Sequence, residues 1–223
     1  MGTSGKNCGF TLVEILIVIA IIIILISMMV GVAKRIDDQG KERLCRDTIE
    51  LIGNALEQFR DFGYEYKHTD FAEFDFPLDC NDYPVTRDIL ILTLEKALGL
   101  VAGSISIPSG THQHEYSGSE ALYFFLSQVP DCRVTLDKVD KSLLTNKDNA
   151  GGDLILRIGT VDYPLLRFID PWGKTLRYDY YYDDTISPLI PDPDTKKTFP
   201  VITSAGADKQ FDTSDDISNI EQQ

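Results

Sequence analysis

Hydrophobic patterning divides the chain into three stretches. An almost unbroken apolar run covers residues 15–33, interrupted only by Ser27 and Gly31, and a helix of that length crosses a bilayer. Beyond Lys34 the pattern becomes amphipathic. Apolar residues and one threonine continue at Ile36, Leu44, Thr48, Ile52, Ala55, Leu56, Phe59 and Phe62; from Leu44 on they recur mostly at steps of three and four, with charged residues between them, as expected for one face of a continuing helix. The spacing predicts a single helix over 10–62, roughly 80 Å long at 1.5 Å per residue. Gly63 is its stop, and Gly31, Gly40 and Gly53 are soft points or simply tolerated.

The middle of the chain gives shorter signals. Residues 86–100 read as a helix with Ile89, Leu90, Leu92, Leu94 and Leu98 on its apolar face. Residues 119–129 read as another, capped by Ser119 and stopped by Pro130. Residues 71–77 alternate but are too short to assign, and 145–152 form a turn rich in Asn, Asp and Gly. From Asp153 onward the pattern becomes β. Residues 154–158, 165–169, 175–182 and 199–203 read as short strands, with Leu176, Tyr178, Tyr180 and Tyr182 alternating against Arg177, Asp179 and Tyr181. Strands following one another without helices predict an antiparallel sheet, laid across the second half of the long helix. Residues 183–197, with three prolines and four aspartates, read as an exposed loop. Asp170-Pro171-Trp172-Gly173 is a turn between two strands, leaving Trp172 to pack under the sheet. The class is α+β.

Charge narrows the function. A net charge of −14 over 223 residues argues against non-specific nucleic-acid binding, and no basic patch with interleaved aromatics is present. No Walker loop, dinucleotide fingerprint or zinc-protease helix occurs, and Ser117-Gly118-Ser119 lacks the nucleophile-elbow pattern. His112 and His114 hint at a metal site, but without an assignable third ligand they read as a polar loop. Glu14, alone at the mouth of the apolar run, is costly in lipid and needs a partner or a functional reason.

Gly9-Phe10-Thr11-Leu12-Val13-Glu14 resembles the processing site of type IV pilins and type II secretion pseudopilins. The resemblance implies that prepilin peptidase cuts after Gly9, removing a leader over 1–9, and that Phe10 becomes the N-methylated first residue. Glu14 would neutralise the Phe10 amine of a neighbouring subunit during assembly. A plain signal anchor, with Glu14 favouring the helix N-terminus, is the alternative. Five basic residues beyond the span (Lys34, Arg35, Lys41, Arg43 and Arg46) would by charge bias keep the C-terminal part inside; the motif is given precedence over that bias. Loss of Lys6 with the leader takes the net charge from −14 to −15.

The stretch from Ser204 to Ile217 is similar to the terminal calcium loop of the major pseudopilin. Mapped here, the resemblance assigns Asp208, Asp215 and Asp216 as side-chain ligands, with the carbonyls of Ala205 and Thr213 completing an oxygen shell of the kind calcium takes. Lys209 and Asp212 stand where that pattern commonly has glycines, and a disordered acidic tail is the alternative. In an oxidising periplasm Cys80 and Cys132 could pair while Cys45 stays on the helix; three unpaired thiols are the other possibility.

The implied organisation is a pilin-like fold: leader 1–9, transmembrane and filament-core helix 10–33, periplasmic continuation 34–63, a variable region 64–152 and a β-rich part 153–223. The expected role is a structural, non-enzymatic subunit of a periplasmic pseudopilus driving type II secretion. It would sit in the bacterial inner membrane by a single pass, with its head in the periplasm. Its partners would be copies of itself, minor pseudopilins, prepilin peptidase, a membrane assembly platform and inner-membrane lipid, and no nucleic acid. A type IV pilin of a surface fibre is the runner-up, and a membrane-anchored periplasmic enzyme or binding domain a third reading.

Overall fold

A computed structural model describes residues 12–62, 76–77, 89–181 and 196–220. The chain divides into two units, Met1–Lys41 and Glu42–Gln223. Helix α1, Leu12–Asp61, runs through both and stays helical across Gly31, Gly40 and Gly53. In its first part every described apolar side chain is exposed, from 47% at Ile22 to 79% at Leu12. Among the described residues no helix is long and apolar enough to cross a membrane. The described side chains of the apolar run cover residues 15–27, about 20 Å at 1.5 Å per residue.

Within the second unit α1 is amphipathic as its spacing predicts. Cys45, Thr48, Ile49, Ile52, Ala55, Leu56 and Phe59 are buried, each large apolar side chain contributing about 1.5–3 kcal/mol relative to exposure. The expected stripe, which starts at Leu44, is too long at its far end: Phe62 is 54% exposed.

Helix α2 is Ile89–Ala97, ending three residues before the expected 100, while 86–88 lie outside the described residues. Strand β1, Ile105–Ser109, follows, then a 3-10 turn, His114–Tyr116, which leads into α3, Ser117–Gln128. Helix α3 stops before Pro130 as expected, but a new helix begins there. Val129 is extended (φ −91, ψ 124) and Pro130 opens α4, Pro130–Leu136, because proline needs no donor at a first helical position and pushes its predecessor out of the helical region. Ser119 is no cap. Its hydroxyl lies 3.3 Å from the Phe168 carbonyl and accepts the Phe168 N–H at 3.0 Å. Helix α4 meets α1 through Cys132, whose thiol donates to the Ala55 carbonyl at 3.1 Å, and through Thr135, whose hydroxyl donates to Gln58 Oε1 at 2.9 Å.

The β-rich part departs from the expectation of one sheet. Strands β2 (Leu144–Thr145), β3 (Ile155–Ile158), β4 (Val161–Pro164), β5 (Arg167–Phe168), β6 (Arg177–Tyr181), β7 (Lys196–Ser204) and β8 (Ile217–Ser218) form three antiparallel sheets, ordered β1-β3-β4, β2-β5 and β6-β7-β8. The turn at 170–173 closes tightly, as expected, with Gly173 at φ 88. The Asp170 N–H donates to the Lys174 carbonyl at 2.7 Å and the Leu176 N–H to the Phe168 carbonyl at 3.1 Å, around the bridge Ile169↔Thr175, while the flanking strands pair elsewhere, β5 with β2 and β6 with β7. Leu176, Tyr178 and Tyr180 are buried as the alternation predicts. Trp172 is half-buried and packs against the hydrophobic core. Phe76 is buried edge-on to Tyr180 and Phe199, and Tyr178 Oη donates to the Pro77 carbonyl at 2.6 Å.

Candidate functional site

The two ends of the chain carry the predicted site residues. Gly9 and Phe10 lie outside the described residues. Glu14 sits in the first turn of α1 and is exposed; an acid there also favours the helix N-terminus.

The stretch from Ser204 to Ile217 is an ordered loop between β7 and β8, not a structureless tail. Its carboxylates organise it. Asp208 Oδ1 accepts the Gln210 N–H at 2.7 Å, and the Asp208 N–H donates to Asp215 Oδ2 at 3.0 Å. Asp216 Oδ2 accepts the Asp212 N–H at 2.8 Å. The Thr213 hydroxyl has its shortest contact, 2.7 Å, with Asp215 Oδ1. The Thr213 hydroxyl and the Asp208 N–H hold the Asp215 carboxyl below the usual range, since hydrogen bonds to the charged form favour it. The Thr213 carbonyl accepts the Asp216 N–H, and Ala205 is buried. At Gly206 (φ 64) an added Cβ would lie 2.3 Å from the Asp215 carbonyl oxygen. That backbone approach admits only glycine.

These oxygens suit calcium in kind but not in placement. Among the described residues no three His, Cys, Asp or Glu side chains converge where an ion could be held. Among the described residues Lys209 and Asp212 are the non-glycine residues of positive φ, 61 and 67, and they stand where the resembled calcium loop commonly has glycines. A left-handed conformation costs an L-residue about 1–2 kcal/mol. Asp212 has a partner to offset it: Arg177 Nη2 lies 3.0 Å from Oδ1 and Nη1 3.4 Å from Oδ2, and this guanidinium depresses the Asp212 carboxyl. Lys209 →Gly should therefore stabilise the head by about 0.5–1 kcal/mol, strain relief exceeding the glycine entropy cost; a lowered midpoint in urea unfolding would contradict it.

Asp170 ties this loop to the rest of the head, and sequence reasoning missed it. It is 2% exposed. Its Oδ1 accepts the N–H groups of Trp172 and Lys174 at 3.0 and 2.8 Å, and its Oδ2 accepts the Ser204 hydroxyl at 2.8 Å. Ser204 Oγ in turn accepts the Gly206 N–H at 3.1 Å. Burial pushes the Asp170 carboxyl above its usual value, against the pull of those donors. Burial likewise pushes the Cys45 thiol, beside Ser204, up to about 11, so it is an inert packing group.

Cys132 is a free, buried thiol that faces α1; Cys80, its candidate disulfide partner, lies outside the described residues. His112 is not part of a loose polar loop. Its Nε2 lies 2.7 Å from Oε2 of fully buried Glu120, and the Arg167 guanidinium stacks 3.6 Å over the Tyr116 ring. Arg167 also donates to Thr175 Oγ1 and the Lys147 carbonyl, at 3.1 and 2.6 Å. Asp148 closes the neighbouring turn by accepting N–H groups from Thr111, Ala150 and Gly152. With Glu120 sealed from solvent, this network pins β5 and the 145–153 turn to α3 and offers no access to a substrate. A groove of about 410 Å³ between α1 and β7–β8 is lined by Arg46, Glu50, Asn54, Glu57 and Asn219. Its hydroxyl, on Ser218, donates to the Ile220 carbonyl, and no nucleophile–base pair faces it.

No curated protein and no solved structure matches the chain. Glu14, the helix that begins beside it and the exposed apolar side chains that follow all fall within or next to the one stretch that does match a known family model. Residues 4–30 carry the prokaryotic N-terminal methylation motif, typical of the prepilin-like proteins of type IV pili and pseudopili.

Proposed function

We propose that the chain is a pseudopilin, cut after Gly9 by prepilin peptidase, methylated at Phe10, and polymerised into a periplasmic filament that drives type II secretion. The observation that carries the reading is the first part of α1. Its apolar side chains are exposed on every face, and an isolated helix cannot keep such a surface in water. Lipid covers it before assembly and neighbouring copies cover it afterwards; burying it between copies supplies the driving force. The apolar run 15–33 is then the single inner-membrane pass, with residues 42–220 forming a periplasmic pilin-like head. Minor pseudopilins and a membrane assembly platform complete the machine in this reading. The role is mechanical and requires no catalytic site.

A type IV pilin of a surface fibre is the second reading. One observation favours it: the Asp208–Asp215–Asp216 loop, the feature pointing to secretion, does not converge its carboxylates for calcium. Gene neighbourhood separates the two, a secretin with a secretion ATPase against pilus retraction machinery. The prepilin reading as a whole is tested by mass spectrometry of the mature protein. The expected N-terminus is Phe10 with the added mass of one methylene; a mature chain still beginning at Met1 overturns it.

A further inference from the structure

We infer that the terminal loop is latched onto residues 170–177 by an internal cation, the Arg177 guanidinium, so that it closes without a bound metal ion. Four carboxylates, Asp208, Asp212, Asp215 and Asp216, fall within nine residues, and such a density of like charge opposes folding unless compensated. The hydrogen bonds described above occupy Asp208, Asp215 and Asp216 with donors from the loop itself. Asp212 is the one that reaches outward, and its partner comes from β6.

Arg177 makes three contacts from one planar group. Its fork meets both oxygens of Asp212, its Nε lies 3.1 Å from Asp179 Oδ2, and its guanidinium carbon sits 4.6 Å from the Phe211 ring centre. Lys174 Nζ approaches the same ring at 5.9 Å and pairs with Glu115 at 3.4 Å. Asp212 is largely exposed, so its charge pairing alone is screened and weak. The ring stacking and the bidentate geometry, which a lysine cannot reproduce, add to it. The left-handed backbone at Asp212 directs its carboxylate to Arg177 while its N–H meets Asp216. At the inner end Asp170, Ser204 and Gly206 hold the start of the loop. The segment 170–177 therefore grips the loop twice, through a buried carboxylate and through a half-buried cation.

The test uses the full-length protein in detergent micelles, with melting temperature and trypsin cleavage after Lys209 followed in millimolar calcium and in chelator. The wild type should melt and be cleaved identically in both. Arg177→Gln should lower the midpoint by about 2–4 °C and expose Lys209 to trypsin, with Arg177→Lys intermediate. Adding Asp212→Asn to Arg177→Gln should cost little more, because the pair acts as a unit. Calcium raising the wild-type midpoint or protecting Lys209 would overturn the inference. So would an Arg177→Gln protein with unchanged melting and cleavage. Neither outcome depends on whether the chain forms filaments.

Discussion

Asp170→Ala should destabilise the head by about 3 kcal/mol, lowering its melting temperature by about 6–12 °C. The substitution leaves the N–H groups of Trp172 and Lys174 and the Ser204 hydroxyl without the acceptor they share, and a buried donor stripped of its partner costs about 1–3 kcal/mol. Asp170→Asn keeps one oxygen and most of the shape, so its loss should be near 1 kcal/mol. Acidification distinguishes a penalised carboxylate from a comfortable one. Burial raises the Asp170 carboxyl in the folded state, so the native form takes up its proton before the unfolded chain does. This group's contribution therefore becomes more favourable as pH falls through its folded pKa, and levels off below the unfolded value. Asp148, Asp212 and Asp215, held below their usual range, lose stability over the more acidic interval instead. The gap between wild type and Asp170→Asn should accordingly widen as pH falls from 7. A gap that narrows would mean that the hydrogen bonds outweigh burial at this site.

What the sequence disclosed follows the distance between interacting residues. The processing motif is contiguous, so residues 9–14 announced it directly. The buried face of α1 and the alternation in β6 are periodic, and they appeared with only their ends misplaced. Pro130 stops one helix, as expected, and the same residue opens the next, which its stop signal did not announce. The single expected sheet became three because very short strands pair with distant partners, as the two-residue β2 does with β5 through Leu144 and Phe168. β4 was invisible since all four of its residues are exposed and give no alternation. At the C-terminal loop the aspartates were legible as neighbours in sequence. Their real partners were not: Arg177 stands 35 residues from Asp212 and Asp170 stands 34 from Ser204. The same is true of His112, whose contact with Glu120 depends on the fold bringing the β1–α3 connection over a buried helix face. Lys209 and Asp212 were visible as departures from a glycine pattern, and their positive φ values give that departure its physical content.

Glu14→Ala should leave processing and head folding intact and abolish filaments. In the assembly proposed here each apolar helix is packed among others, and the methylated amine of Phe10 enters that packing with a positive charge. Glu14 is the acid available along residues 10–33 to meet it. Removing one member of a buried charge pair costs about 3–5 kcal/mol because the other is left uncompensated. That weakens each subunit contact by roughly two to four orders of magnitude. Filament growth adds subunits one at a time, so a loss of that size falls on every addition. If Glu14 served only its own helix N-terminus, neutralising it would cost about 0.3–1 kcal/mol, too little to stop growth. Glu14→Gln separates the two roles, since it keeps the shape and hydrogen-bonding capacity but removes the charge. Loss of filaments with Gln as complete as with Ala supports charge pairing between copies. Normal filaments from Glu14→Gln, with Phe10 correctly processed, would leave the carboxylate a local helix-end device and remove the proposed register between subunits.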